Sequence, residues 1–263
     1  MMFINNYIKN TELYFKLLKK RYYFYTSYKN KISYEYRETL DTLLKDGVVI
    51  IPNFVSEEVI NNILLETQNP LNEILKNNYD ETEHIYNPNY GYYRILECDK
   101  VSETSKTFFN NDMINNIASA YVWKNVSSYQ RMIEIRPDPG VESNSDVFHF
   151  DDWRHRFKAF LYLTDVSEQN APFRYLRGSH RPGKWREEKD YEYYRYGYEG
   201  SYGYFSTEEI NDLQSKHNFS EITCTSKKGT LILADTRGIH KGTPLDSGKR
   251  ILLANYFAQR ERF

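Results

Sequence analysis

Residues 129–164 read YQRMIEIRPDPGVESNSDVFHFDDWRHRFKAFLYLT, and the hydrophobic period of this stretch is two. Tyr129–Arg136 alternates apolar with polar side chains, Pro137-Asp138-Pro139-Gly140 interrupts it, Val147–Asp151 alternates again, and Phe157–Thr164 makes a third run. Short alternating runs punctuated by Pro and Gly mark strands that bury one face. Further along, Pro172–Leu176, Gly229–Asp235, His240–Gly242 and Arg250–Phe257 read the same way, with a weaker run at Glu221–Thr225. Many short strands joined by turns such as Asp246-Ser247-Gly248 predict a mainly β fold with flanking helices, its strands in two packed sheets as in a jelly roll.

Upstream, Gly47–Ile51 predicts a short buried strand. Ser56-Glu57-Glu58 places a capping hydroxyl and two acids at the start of a helix that runs to about Glu66. Residues 1–38 carry eight Lys/Arg and three acids, with a rough helical period from Asn5 to Tyr22. They predict a basic, aromatic helical segment covering one flank of the domain, with a membrane surface or a partner as the competing use. Residues 39–263 then form the β domain. It is interrupted at about 181–220, where Tyr191–Tyr204 holds seven tyrosines and Ser206-Thr207-Glu208-Glu209 forms a capping box for a helix to His217. An insertion of that length predicts a lid or a binding loop.

Composition narrows the functional classes. Lys plus Arg is 35 against 36 Asp plus Glu, a net charge of −1, so no bulk field draws the molecule to nucleic acid or an anionic membrane. Hydrophobic residues are 40%, but 25 of them are Tyr, so tyrosine carries much of the packing. Cys98 and Cys224 are the only cysteines and lie far apart, which argues against a zinc knuckle or disulfide framework and predicts a reducing, cytoplasmic setting. There is no apolar run long enough to span a bilayer, and charges interrupt residues 1–31 where a signal-peptide core would need none. A globular enzyme or binding domain for a small molecule is what remains; oligomeric state is open.

Of six histidines, at 84, 149, 155, 180, 217 and 240, the decisive one is His149. In a strand, residues i and i+2 share a face, so His149 and Asp151 project side by side and can share a metal. A third ligand must come from another strand, and His240 stands at the start of one. Two His and one carboxylate leave three positions open, the donor set of non-haem Fe(II) oxygenases. Ten positions after His240, Arg250 opens an apolar strand, and its planar fork suits a carboxylate, so a dicarboxylate cosubstrate can bridge from metal to arginine.

The order of these motifs resembles the phytanoyl-CoA dioxygenase family of Fe(II)/2-oxoglutarate-dependent oxygenases. Leu161-Tyr162-Leu163-Thr164-Asp165-Val166, Asn170-Ala171-Pro172 and Arg177-Gly178-Ser179-His180 are similar to its central signature, and Gly229–Asp235 leading to His240 resembles its distal-histidine block. The resemblance covers about residues 40–260. It implies a double-stranded β-helix (jelly roll, cupin-like), Fe(II) held by His149, Asp151 and His240, 2-oxoglutarate held by Arg250, and O2 as the other cosubstrate. Its implied reaction is oxidation of an organic substrate with release of succinate and CO2, hydroxylation by default, with desaturation, epimerisation or ring closure open to the same oxidant, while the tyrosines of 191–204 suit a small polar substrate. Related halogenases carry a small residue in place of the carboxylate, whereas Asp151 is present. Two positions depart from the pattern: Arg177 stands where Pro is usual, and Ala171-Pro172 follows Asn170 where Gly is common.

Further candidates follow from parity. Lys158, Phe160, Tyr162 and Thr164 share the face expected to look into the barrel mouth, which makes Lys158 and Tyr162 candidates for the cosubstrate; an edge lysine is the competing reading of Lys158. Gln130, Glu134 and Arg136 share a face as well, making Arg136 a candidate for substrate or cosubstrate against a structural salt bridge. His180 reads as structural, His155 as either substrate contact or surface, and Asp152 has the wrong parity for a ligand. The alternative from another class is a non-catalytic jelly roll that binds a sugar or small molecule, the tyrosine-rich insertion suiting a glycan. A pure binder has no need to keep His149, Asp151, His240 and Arg250 together, and a cupin-like isomerase has no need of Arg250.

Overall fold

The chain is described here from a computed structural model, which covers residues 32–75, 85–86, 92–122, 126–153, 156–196 and 203–258. The expected helix at 5–22, His84 and His155 lie outside the described residues. Helices are α1 (Arg37–Asp46), α2 (Glu57–Glu66), α3 (Gln68–Leu75), α4 (Cys98–Val101), α5 (Ser105–Phe109), α6 (Asp112–Val122), α7 (Lys184–Tyr196) and α8 (Thr207–His217). Strands are β1 (Val48–Ile51), β2 (Ile85–Tyr86), β3 (Tyr93–Leu96), β4 (Ser127–Arg136), β5 (Arg156–Tyr162), β6 (Phe173–Arg177), β7 (Ser220–Cys224), β8 (Leu231–Asp235), β9 (His240–Lys241) and β10 (Arg250–Ala258).

Seven strands form one antiparallel sheet in the order β1-β8-β5-β10-β4-β3-β2, and three form a second in the order β7-β6-β9. The pleat divides the large sheet's side chains between two cores. Phe157, Ala159 and Leu161 of β5, with Leu231, Leu233, Ile133, Ile135, Ile251 and Leu253, face outward onto Leu40, Leu43, Ile60, Ile63, Ile114 and Ile117 of the helices. Phe160 and Tyr162 of β5 point the other way, with Ile232, Leu252, Ala254 and Tyr256, onto Tyr175 and Cys224 of the small sheet. Each fully buried Leu, Ile or Phe contributes about 1.5–3 kcal/mol of transfer free energy, so this parity fixes which residues remain to face the site between the sheets.

Local chemistry sets the element boundaries. Ser56 caps α2, its Oγ accepting from the Val59 amide at 3.4 Å. α1 ends at Gly47, whose φ of 83° is the left-handed conformation that turns the chain directly into β1. A Cβ there would also strike the Tyr175 hydroxyl and the His180 ring, so only glycine fits. Ile32 and Tyr36 pack into the helix-side core, so the chain joins the domain ahead of the boundary expected at residue 38.

Two expectations need correcting. Val147–Asp151 is not a strand but a pair of single bridges at His149, to Tyr204 on one side and to His240 on the other. The 3-10 turn Asn144–Asp146, closed by a Ser143–Asp146 capping box, consumes the residues that would have lengthened it. The 181–220 insertion holds the expected helix to His217 as α8, and also a second helix, α7, where the tyrosine-rich stretch reads in the sequence as part of a lid or binding loop. Lys, Arg and Glu in KWREEKDYEYYRY favour helix, and Arg186 and Asp190 pair across one turn at 2.6 Å.

Candidate active site

The H-x-D segment lies between two short backbone partners. The amides of His149 and His240 each donate to the other's carbonyl at 2.8 Å, and the Asp151 amide donates to Thr236 O at 2.9 Å. This pairing joins the segment to the loop that delivers His240. On the far side, Phe150 N donates to Gly203 O and Phe205 N donates to Phe148 O, so the end of the insertion is tied to it as well.

The ligand atoms of His149, Asp151 and His240 all lie within 4.8 Å of one another, the only such group among the described residues. Asp151 Oδ1 is 3.8 Å from His149 Nε2 and 3.6 Å from His240 Nε2. Each ring's other nitrogen is fixed by a backbone carbonyl: His149 Nδ1 to Val147 O at 2.7 Å, and His240 Nδ1 to Gly238 O at 2.9 Å. A carbonyl only accepts, so each Nδ1 carries a proton, and Nε2 is on each ring the nitrogen near the carboxylate oxygen. Burial, with His240 beside it, brings the His149 pKa down to about 4, so the ring is neutral at pH 7. Burial opposes the charge on Asp151, but Lys158 and the two histidines outweigh it and hold the carboxyl well below its usual range. Two imidazole nitrogens and one anionic oxygen converging on a point form a donor set that fits a divalent metal of the iron type.

A cavity of about 490 Å³ opens from this point. Arg250 lines it, 4% exposed, at the start of β10 and directly across from Arg136 in β4. Its Nη2 donates to Glu134 Oε1 at 2.7 Å, Nη1 donates to Ala171 O, and Nε is buried with no partner. Burial pushes the Arg250 pKa down, and Glu134 counters it. Burial alone would raise the Glu134 pKa, but Arg250, then Arg94 and Arg136, pull it below the usual range. Ala171, at the position where the family pattern prefers glycine, has a left-handed φ of 55°, and this turn aims its carbonyl at Arg250.

The other candidates have protein partners. Lys158 lies on β5, an interior strand flanked by β8 and β10, which overturns the edge-lysine reading; its Nζ is 2.7 Å from Asp151 Oδ2 and sits 4.2 Å above the Tyr256 ring. The Tyr162 hydroxyl donates to Cys224 O at 2.8 Å. Arg136 makes a two-pronged pair with Asp146, 2.7 and 3.2 Å, and donates to Thr243 O, a structural salt bridge beside the cavity. Asp152 pairs with Arg156 at 2.6 Å, and His180 contacts Leu44 O through Nε2.

Residues that the sequence did not single out also line the cavity. Arg94 and Tyr92 arrive on and beside β3, with Arg94 reaching Glu134 Oε2 at 3.5 Å, and Tyr204 stands 5.6 Å from the His149 ring. Ser143, Asn144 and Ser145 complete a polar rim. Behind His240, Asp190 of α7 bridges Arg186 and Arg237, all three buried. Arg237 further donates to Trp153 O and His180 O, while Arg186 donates to Arg237 O and covers the Phe150 ring. The one available signal for this network was the Arg186–Asp190 spacing of four.

Comparison with known proteins agrees with this geometry. The profile of the phytanoyl-CoA dioxygenase family (PhyH) matches residues 43–251, most of the chain. Similar solved structures include EctD from S. alaskensis with bound Fe, with a TM-score of 0.61 and 16% identity over 86% of this chain and 76% of that one. The non-heme alpha ketoglutarate dependent epimerase SnoN from nogalamycin biosynthesis gives 0.59 and 14% over 86% and 83%. HygX from Streptomyces hygroscopicus, solved with nickel and 2-oxoglutarate, gives 0.54 and 16% over 87% and 88%. At these identities the structures share the double-stranded β-helix fold. No curated protein matches the sequence.

Proposed function

The chain belongs to the phytanoyl-CoA dioxygenase family, whose members are non-haem Fe(II)/2-oxoglutarate-dependent enzymes, and from that premise we propose that it hydroxylates a small polar organic molecule at the His149–Asp151–His240 centre. The carrying observation is the convergence of three donor atoms, both imidazoles oriented by backbone carbonyls, at a cavity that also holds Arg250. In this reading His149 Nε2, Asp151 Oδ1 and His240 Nε2 hold Fe(II). When bound, iron supplies the activation of O2 coupled to decarboxylation of 2-oxoglutarate to succinate and CO2.

The remaining work belongs to the chain's own residues. Arg250 orients the cosubstrate by its tail carboxylate, and its unpartnered buried Nε is a donor available for that contact. Glu134 and Ala171 O hold the guanidinium in place meanwhile. Tyr256, Phe160 and Phe173 wall the cavity and keep bulk water off the centre. Ser143, Asn144, Ser145 and Tyr204 at the rim offer hydroxyls and an amide, which favours a polar substrate over a bare hydrocarbon chain. Tyr204, beside His149, belongs to the insertion, which serves as the wall over bound substrate.

Anaerobic addition of Fe(II) and 2-oxoglutarate to the purified protein tests the reading directly. A visible charge-transfer band that needs both components is expected, and exposure to O2 should give succinate. Absence of the band at saturating concentrations of both would leave the non-catalytic binding protein as the surviving class.

A further inference from the structure

Lys158 stands where a lysine is costly. It is 13% exposed on an interior strand of the large sheet, between β8 and β10, with the Tyr256 ring beneath its ammonium. What offsets the cost is Asp151, whose Oδ2 lies 2.7 Å from Nζ while Oδ1 faces the two histidines. The two oxygens of one carboxylate are thus divided between a lysine and the metal-binding point. Arg250 already has Glu134 and Ala171 O on the far wall of the cavity, so the lysine and the tail-binding arginine serve different ends of the site.

We infer that Lys158 is a positioning residue: by retaining Oδ2 it makes Asp151 offer the metal a single oxygen, leaving room for the two-point chelation of a 2-oxo acid. This rests on the function proposed above. A carboxylate free to use both oxygens competes for one of the open positions, so the lysine's effect falls on the 2-oxo acid head rather than on its tail. The Tyr256 face restrains the ammonium in turn, since a cation over a ring is held in place as well as attracted.

The test uses the Co(II)-loaded protein, whose visible d–d spectrum reports changes in ligands without turnover. Affinities for 2-oxoglutarate and for pyruvate, which has the head but not the tail carboxylate, are measured in wild type, Lys158→Met and Lys158→Arg. Expected for Lys158→Met is weaker binding of both acids by a similar factor, about 10-fold or more, with Co(II) binding retained. Lys158→Arg should restore most of it, because it keeps the charge and a donor. Weakening of 2-oxoglutarate alone would assign Lys158 to the tail and overturn the inference, as would unchanged affinity for both acids. Loss of Co(II) from Lys158→Met would overturn it too, since the residue would then support the ligand set as a whole. If wild type itself bound metal but neither acid, the proposed function would fail instead. Melting temperatures of the two variants, compared with wild type, separate any of these results from misfolding.

Discussion

Glu134 is the residue on which the behaviour of Arg250 depends. It lies between Arg250 and Arg94, and a buried carboxylate so placed neutralises charge that would otherwise be carried by two enclosed guanidiniums. Its pKa is lower in the folded chain than in the unfolded one, so its stabilisation is complete above the unfolded value and is lost as pH falls through the folded one. Glu134→Gln should therefore lower stability by about 1.5–3 kcal/mol near neutrality. In denaturant titrations the gap between variant and wild type should begin to narrow below about pH 4 and go on narrowing as pH falls further; a gap independent of pH would mean that the carboxylate's charge is not what matters. At Arg250 the fork is the issue. Arg250→Lys keeps the charge and loses the planar pair of donors, and the apparent constant for 2-oxoglutarate should rise by about tenfold or more with metal affinity unchanged. At the metal, His149→Ala, Asp151→Ala and His240→Ala should each abolish succinate formation while leaving the circular dichroism spectrum in place; Asp151→Gly should retain some metal through the two imidazoles. This candidate set was legible because of the i, i+2 spacing of His149 and Asp151 and one late histidine, and the three side chains come together although the H-x-D segment forms single bridges instead of the expected strand. Glu134, by contrast, was noted only as part of a polar row, since nothing in its own segment announces that Arg94 and Arg250 will converge on it.

At the scale of elements, β-strand runs were legible where parity was clean, as on β5, where Lys158, Phe160 and Tyr162 do face the site and Phe157, Ala159 and Leu161 the helices. Helix α7 was not, because a run of tyrosines resembles a binding loop while the Lys, Arg and Glu among them form a helix. Its buried function is equally non-local. Asp190 joins Arg186 on its own helix to Arg237 in the turn before His240, and Arg237 in turn grips the carbonyls of Trp153 and His180. One carboxylate thus links the insertion to the segments on either side of the metal ligands. Asp190→Ala should leave two buried guanidiniums without a counterion and cost about 3–5 kcal/mol, a fall in melting temperature on the order of 10 °C. Removing one of the two stranded charges with Arg186→Met in the same chain should recover part of that loss; no recovery would point to packing rather than charge. Tyr204 tests the other end of the insertion, where its backbone pairs with the H-x-D segment. Tyr204→Ala should leave the 2-oxoglutarate charge-transfer band intact and raise the ratio of succinate formed to substrate oxidised, because the group beside His149 that helps to cover the centre is gone.

For the molecule as a whole, the site exists only where the two sheets meet. His149 and His240 sit against the small sheet, whereas Lys158, Glu134 and Arg250 project from the large one, so the cavity is assembled by the packing of the two and has no counterpart in either alone. This is why the candidate ligand residues could be listed from the sequence while the cavity's walls could not: Arg94 of β3, and Tyr92 just before that strand, take their place beside β4 through tertiary pairing. It also means that a metal held at the centre is bound only by the folded state, because unfolding separates His240 from His149 by the intervening chain. A ligand of that kind stabilises by mass action, about 2.7 kcal/mol at a free concentration 100 times its dissociation constant. For a chain of this length that corresponds to a rise in melting temperature of roughly 5–10 °C. Mn(II) added to metal-free protein should produce that rise, 2-oxoglutarate should add to it only when Mn(II) is present, and chelator should reverse both. In His240→Ala the Mn(II) increment should largely vanish, and the 2-oxoglutarate increment with it, since the cosubstrate then lacks the centre that its 2-oxo acid end chelates. An Mn(II) increment of full size in that variant would locate the stabilising metal elsewhere, and an undiminished 2-oxoglutarate increment without metal would show that Arg250 and its neighbours hold the dicarboxylate by themselves.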